Sequence, residues 1–223
     1  MPDPHPVVAL ISAVPAAIPP TTTAFEALFP AARIWNLLDD RLIDDAESTG
    51  GVHPPLVARM RRLIDHAIIE GADAVLLTCS MYASVAHSAA KLANVPVLAP
   101  DDALFQAVSE AGYSRLTVVS PAADPLSDSL HRIRQVVKPD TTVEGVIAHG
   151  AAAAARDGDR MTLAELVTAA VAASFPTPDA VVLGQYSLAP AAAKVQAATG
   201  IPTLAGPCLA VRMLRDLLSG DES

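Results

Sequence analysis

The sequence predicts an α/β protein made of two pseudo-symmetric halves, each with its own parallel sheet. Two observations carry this. Short apolar runs of strand length alternate with longer stretches of helical period, the pattern of βα units that lay down a parallel sheet. In addition, residues 73–104 lie over residues 179–210 without a gap, at an offset of 106, with nine of the 32 positions identical. These are Asp73/Asp179, Ala74/Ala180, Val75/Val181, Leu77/Leu183, Ala83/Ala189, Ala86/Ala192, Pro96/Pro202, Leu98/Leu204 and Ala99/Ala205. The alanine matches weigh little, because alanine-rich helices inflate such counts, but the Asp-Ala-Val register and the two prolines are harder to dismiss. Upstream, residues 9–12 resemble residues 117–120 at nearly the same offset. Two copies of a four-strand unit thus account for almost the whole chain.

In order, strands are expected over residues 7–12, 32–38, 73–78, 95–98, 116–120, 141–147, 180–184 and 201–204. Helices are expected over 22–28, 55–70, 82–93, 101–111, 125–136, 163–174, 189–198 and 207–217. Thr162, with Glu165 three residues on, reads as a capping box for the sixth helix. Pro207 opens the last helix, where a missing N–H costs nothing. The run 151–155 is helix-favouring low complexity, and the Pro-rich stretch 15–20 reads as a βα loop or a lip beside the strand ends. Ligands of parallel sheets bind at the carboxyl ends of the strands, so the duplicated ends are expected to face one cleft, with residues 79 and 185 across it.

Composition narrows the class. The chain of 223 residues buries a real core as one large domain or two small ones. Hydrophobic residues make up 52% of it, yet no apolar run approaches the ~18–20 residues of a membrane span. The start, Met1-Pro2-Asp3-Pro4-His5, lacks the basic region of a signal peptide, and two cysteines do not make a disulfide framework. A cytoplasmic location, away from membranes, is expected. A net charge of −9 leaves no basic excess to neutralise phosphates, which argues against a nucleic-acid partner. There is no G-x-G-x-x-G, no P-loop and no zinc-like His/Cys/Asp spacing, so no cofactor or metal is expected, and the six histidines are scattered.

Chemistry concentrates at the third strand of each copy. Cys79 stands between the apolar strand and a helix, in Thr78-Cys79-Ser80-Met81-Tyr82. A thiol there feels the positive end of the helix, which favours thiolate and lowers its pKa below the ~8.5 of a free cysteine. The ordinary alternative is a buried structural cysteine. The phrase Val75-Leu76-Leu77-Thr78-Cys79-Ser80, repeated as Val181-Val182-Leu183-Gly184-Gln185-Tyr186, resembles the paired signatures of the aspartate/glutamate/hydantoin racemase superfamily. Residues 36–42, Asn-Leu-Leu-Asp-Asp-Arg-Leu, are similar to an acidic motif after the second strand in some members.

That resemblance implies two pseudo-symmetric domains with one active site in the cleft between them. The first half would cover residues 1–101, completed by the C-terminal helix 206–223, and the second residues 102–205. It also implies proton transfer at the carbon beside a carboxylate, without metal, pyridoxal or flavin. In the family's racemases two cysteines stand on opposite faces of that carbon. The first maps onto Cys79 and the second onto Gln185, and an amide is no general base. Cys208, aligned with Asp102 in the repeat, reads as structural, although Gly206-Pro207-Cys208 is itself a strand-to-helix turn.

Strand-end hydroxyls in both halves are the candidate carboxylate binders: Ser12 and Ser120 after the first strands, then Thr78, Ser80, Tyr82, Tyr186 and Ser187 in the two turns. Each alone is commonly a turn or cap residue. Asp40 and His149 close the second strands. The leading expectation is a cofactor-independent racemase or epimerase acting on a small amino acid or related acid, as a homo-oligomer. A single thiol also suits a malonate-type decarboxylase or a maleate-type cis-trans isomerase. A thiol hydrolase is disfavoured because no glycine flanks Cys79 as in a nucleophile elbow. A carboxylate-binding protein that has lost catalysis is the remaining class.

Overall fold

The computed structural model describes residues 5–174 and 176–220; residues 1–4, read above for a leader, lie outside it. Contacts divide the chain into two units, one running to Asp102 and resuming at Pro207, the other spanning Ala103–Gly206. In the first unit β1 (Val7–Ser12), β2 (Arg33–Leu38), β3 (Ala74–Leu77) and β4 (Val97–Leu98) form a parallel sheet of order β2-β1-β3-β4. In the second, β5 (Arg115–Ser120), β6 (Thr142–Ile147), β7 (Ala180–Leu183) and β8 (Thr203–Ala205) repeat it as β6-β5-β7-β8. All eight expected strands therefore form, and each sheet is doubly wound.

The strand interiors explain the apolar runs. Every residue of β3 and β7 is buried, as in a parallel sheet covered on both faces. The identities of the repeat are structural. Asp73 Oδ2 accepts the Val7 N–H (2.7 Å), and Asp179 Oδ2 accepts those of Ser114 (2.8 Å) and Arg115 (2.9 Å). Each aspartate thus holds the amino end of its unit's first strand. Pro96 and Pro202 offer carbonyls to Val75 (2.9 Å) and Val181 (2.8 Å), so the fourth strand starts where the sheet needs an acceptor and no donor.

The helices of the first unit are α1 (Ile18–Leu28), α2 (Arg41–Thr49), α3 (Pro54–Ile69) and α4 (Ala83–Ala90), with α5 (Asp102–Ala111) leading into the second. There follow α6 (Ala123–Arg134), α7 (Ala151–Arg156), α8 (Arg160–Ala172), α9 (Ala192–Thr199) and finally α10 (Gly206–Ser219). Among the described residues no helix is long and apolar enough to cross a membrane.

Three local expectations are corrected. The stretch 15–20 is not a loop: Pro15–Ala17 is a 3₁₀ turn and α1 begins at Ile18, since prolines fit a first turn that needs no N–H. α2 was not anticipated, because its polar sequence buries only Leu42 and Ala46. Thr162 does not cap α8. Asp159 does, accepting the Thr162 N–H (3.0 Å) on one oxygen and the Thr162 hydroxyl (2.7 Å) on the other, and the helix starts two residues before Thr162.

Those hydrogen bonds, the hydroxyl's first, hold the Asp159 carboxyl below its ordinary value. A lowered carboxyl contributes stability above its unfolded pKa and loses it as pH falls through the folded one. Asp159→Ala should therefore lower the melting temperature at pH 7, with the deficit shrinking in acid once Asp159 is protonated. Thermal melts of both proteins across pH 2–7 check this; a deficit independent of pH would refute it.

Candidate active site

In each unit the chain reverses direction across the sheet between the first and third strands, and the crevice at their carboxyl ends is where such sheets bind ligands. In the first unit Ile11 pairs with Leu77, which sets Ser12 beside Thr78. The Thr78 N–H donates to the Ile11 carbonyl (3.0 Å), and Thr78 Oγ1 donates to Ser12 Oγ (2.9 Å). Both side chains are buried. One residue beyond, Cys79 is extended (φ −120°, ψ 115°) and half-buried. Its carbonyl accepts the Tyr82 N–H (3.3 Å), closing a 3₁₀ turn over Ser80–Tyr82 ahead of α4. The Ser80 and Met81 amides have no acceptor among the described residues.

Tyr82 is fully buried in the core, and its hydroxyl donates to the Leu42 carbonyl of α2 (2.9 Å). Of the first-unit candidates, Cys79 and Ser80 retain partial exposure, while Ser12, Thr78 and Tyr82 form the layer beneath them.

The second unit repeats the backbone and changes the side chains. Val119 pairs with Leu183, and the Gly184 N–H donates to the Val119 carbonyl (2.9 Å), so Gly184 stands where Thr78 stands in the first unit. No side chain reaches back: Ser120 is buried and its hydroxyl has no partner among the described residues. A Cβ at Gly184 would lie 3.3 Å from both Ser129 Oγ and the Val119 carbonyl, so the slot is nearly filled by α6 and the neighbouring strand. Gln185 is extended (φ −141°, ψ 146°) and half-buried, in the place of Cys79. It leads into a 3₁₀ stretch, Tyr186–Ala191, whose Leu188 N–H donates to the Gln185 carbonyl (3.0 Å). Tyr186 is buried and Ser187 half-buried.

Other candidates lie on the outside of their units. Asp40 and His149 are exposed, and among the described residues no ion pair or hydrogen bond ties either side chain. Cys208 is exposed in the first turn of α10. The helix-start argument made for Cys79 therefore applies at least as well to Cys208, so fast alkylation alone cannot mark a reacting thiol. Neither cysteine is in a disulfide.

Sequence reasoning passed over a charged cluster beneath the Cys79 turn. Asp39, Asp45 and Arg59 join there, Arg59 Nη2 donating to Asp39 Oδ1 (2.6 Å) and Nη1 to Asp45 Oδ2 (2.8 Å). The signal was present in residues 36–42, but nothing in the sequence pairs residue 39 with residue 59. A surface hollow of about 650 Å³ lies elsewhere, between α8 and α9; alanines line most of it, and it holds no candidate residue.

Burial raises the Tyr82 phenol to about 12, with the nearby Cys79 and carboxylates adding to the rise and Arg59 opposing it. A raised tyrosine contributes stability at every pH below its unfolded value of ~10, which is lost as pH climbs through the folded value. Replacing Tyr82 by Phe should accordingly remove a tyrosine step near pH 12 from an absorbance titration. Loss of an ordinary step near pH 10 would contradict the assignment.

The sequence and the fold were compared with known proteins. The Asp/Glu/Hydantoin racemase family model matches residues 9–214. A search of curated proteins finds no match. Among solved structures, the chain is similar to the allantoin racemase of Klebsiella pneumoniae, with a TM-score of 0.72, 17% identity, and 96% of this chain and 88% of that one covered. It is similar to the glutamate racemase of Francisella tularensis (TM-score 0.71, 13% identity, 98% and 82% covered). It is also similar to an unliganded arylmalonate decarboxylase (TM-score 0.63, 17% identity, 98% and 95% covered). At such identities the structures speak for the fold, an α/β architecture of two four-stranded parallel sheets. The family match over nearly the whole length goes further: this chain belongs to the Asp/Glu/Hydantoin racemase family.

Proposed function

We propose that the protein is a cofactor-independent enzyme of the racemase/epimerase type, acting at the carbon next to the carboxylate of a small amino acid or related acid, with Cys79 as acid and base. The observation that carries this reading is the place of Cys79: one residue past β3, partly exposed, at the switch point of a doubly wound sheet in a chain of this family. As base, the thiolate takes the α-proton: the C–H bond breaks, S–H forms, and the electron pair moves into the carboxylate. As acid, the thiol returns the proton to that carbon. Ser80 and the open amides of the Cys79 turn are the groups we assign to the carboxylate, since hydroxyls and N–H donors stabilise the charge that builds there. Ser12, Thr78 and Tyr82 shape the layer behind them.

Gln185, which stands in the second half where Cys79 stands in the first, favours a second reading. An amide can donate and accept hydrogen bonds but cannot take a proton from carbon. With one thiol, protonation proceeds from the Cys79 side alone. Such an enzyme exchanges the α-hydrogen of one enantiomer with retention, or decarboxylates a prochiral malonate to one hand of product. Similarity to an arylmalonate decarboxylase fits that alternative.

The experiment is incubation in deuterated water with a panel of amino acids, hydantoins and malonates, followed by NMR for exchange and product. Cys79→Ala should abolish turnover on either reading; a racemase brings deuterium into both enantiomers, whereas the one-sided enzyme brings it into one only and gains racemisation in Gln185→Cys. A carboxylate that is turned over should slow iodoacetamide labelling of Cys79 and leave Cys208 unaffected. Efficient exchange into both enantiomers by the unmodified protein would refute the one-sided mechanism, and turnover surviving in Cys79→Ala would refute the role of the thiol.

A further inference from the structure

The half that carries the thiol contains a tether with no counterpart among the described residues of the other half. It begins at Arg59, on α3. The planar guanidinium forks onto Asp39, with Nη2 to Oδ1 at 2.6 Å and Nε to Oδ2 at 2.5 Å, and its remaining nitrogen reaches Asp45 Oδ2 at 2.8 Å. The three side chains are 28%, 14% and 31% exposed, so the network is largely shielded rather than a loose surface pair. Asp39 leaves β2 with its N–H on the Ser12 carbonyl (3.0 Å) and starts α2 with its own carbonyl, which accepts the Leu42 N–H (3.2 Å). Asp45 lies on α2 itself.

α2 has little else to hold it. Nine residues are too few for a helix to persist by propensity, and only Leu42 and Ala46 are buried. Yet its first turn has a demanding role. The Leu42 carbonyl is the acceptor for the Tyr82 hydroxyl, on a ring with no exposed surface, and Tyr82 closes the turn on the Cys79 carbonyl. If α2 shifts, a buried hydroxyl loses its partner, which a folded protein resists strongly. The position equivalent to Tyr82 in the second half is Leu188, likewise fully buried but with no hydroxyl, and the residue equivalent to Cys79 there is Gln185. The tether and the thiol occur together.

We propose that Arg59 is a positioning residue for Cys79: by bridging Asp39 to Asp45 it fixes α2, and α2 fixes the Cys79 turn through the Leu42–Tyr82 hydrogen bond. The inference rests on the reading of Cys79 as the reacting thiol, but its test does not use turnover. Arginine is required because one rigid fork must satisfy two carboxylates from two elements, which the point charge of a lysine cannot do.

The test is hydrogen exchange by mass spectrometry on the full chain, with near-UV spectra reporting the environment of Tyr82. In Arg59→Met, amides of α2 and of residues 78–82 should exchange at least tenfold faster, and those of β5 and β7 should not change. The near-UV contribution of Tyr82, identified as the difference between the unmodified protein and Tyr82→Phe, should be lost as well. Arg59→Lys, which keeps the charge without the fork, should loosen the same two segments. Tyr82→Phe should loosen residues 78–82 and leave α2 protected, and it decides the matter if Arg59→Met does not fold. Loosening of α2 with residues 78–82 unchanged, full protection in Arg59→Lys, or an unchanged turn in Tyr82→Phe would each overturn the proposal. If the exchange results hold while Cys79→Ala retains turnover, the tether stands and the assignment of the thiol falls.

Discussion

In a parallel sheet, slipping one strand by one residue turns each of its side chains to the opposite face. The pairings of Ile11 with Leu77 and of Val119 with Leu183 therefore decide which groups emerge at the carboxyl edge of each sheet. They set Ser12 against Thr78, Ser120 against Gly184, and deliver Cys79 and Gln185 one step further on. The registers are held from both ends. Asp73 and Asp179 grip the amino ends of β1 and β5, and the Thr78 and Gly184 amides bond the Ile11 and Val119 carbonyls at the other. Complete burial of β3 and β7 forbids any alternative, because a slipped register would strand polar neighbours in the core.

On this common frame the two halves have diverged at successive positions of one turn. Thr78 becomes Gly184, Cys79 becomes Gln185 and Tyr82 becomes Leu188. The first unit fills its crevice with a hydroxyl pair, a thiol and a buried phenol anchored to α2. The second leaves the Ser120 hydroxyl without a partner among the described residues, and there Ser129 and the Val119 carbonyl crowd the place a threonine side chain would take. A buried unpaired hydroxyl costs free energy, so the two crevices are not interchangeable copies. On the proposed reading this asymmetry is what makes the chemistry one-sided.

The polar elements around the first crevice depend on one another more than on the core. α2 is short and acidic, and Arg59 binds it to the exit of β2 by sharing its cation between two carboxylates. Ion pairs at this exposure contribute modestly to global stability. Their effect is local, holding a helix whose first turn supplies the acceptor for Tyr82.

Much of the fold was legible in the sequence, because short apolar runs of strand length separated by helical stretches, and their repetition at an offset of 106, follow directly from burial. The eight strands, the identity of Asp73 with Asp179, and the correspondence of Cys79 with Gln185 all sit in that pattern, whereas the sheet order and the bond from Asp73 to β1 do not. The starts of α1 and α8 were misplaced because proline and aspartate signals act over one turn and compete with hydropathy. α2 was invisible because its buried face is only Leu42 and Ala46 and its ion pairs join residues 39, 45 and 59, distant in sequence and polar in kind. So too were the partners of the candidate side chains. The sequence by itself determined two parallel α/β units and the residue at the head of each third strand. Only the tertiary structure decided that Thr78 bonds Ser12, that Tyr82 is consumed by α2, and that Ser120 is left alone, because hydrogen-bond partners are chosen by proximity in space, which hydropathy along the chain does not encode.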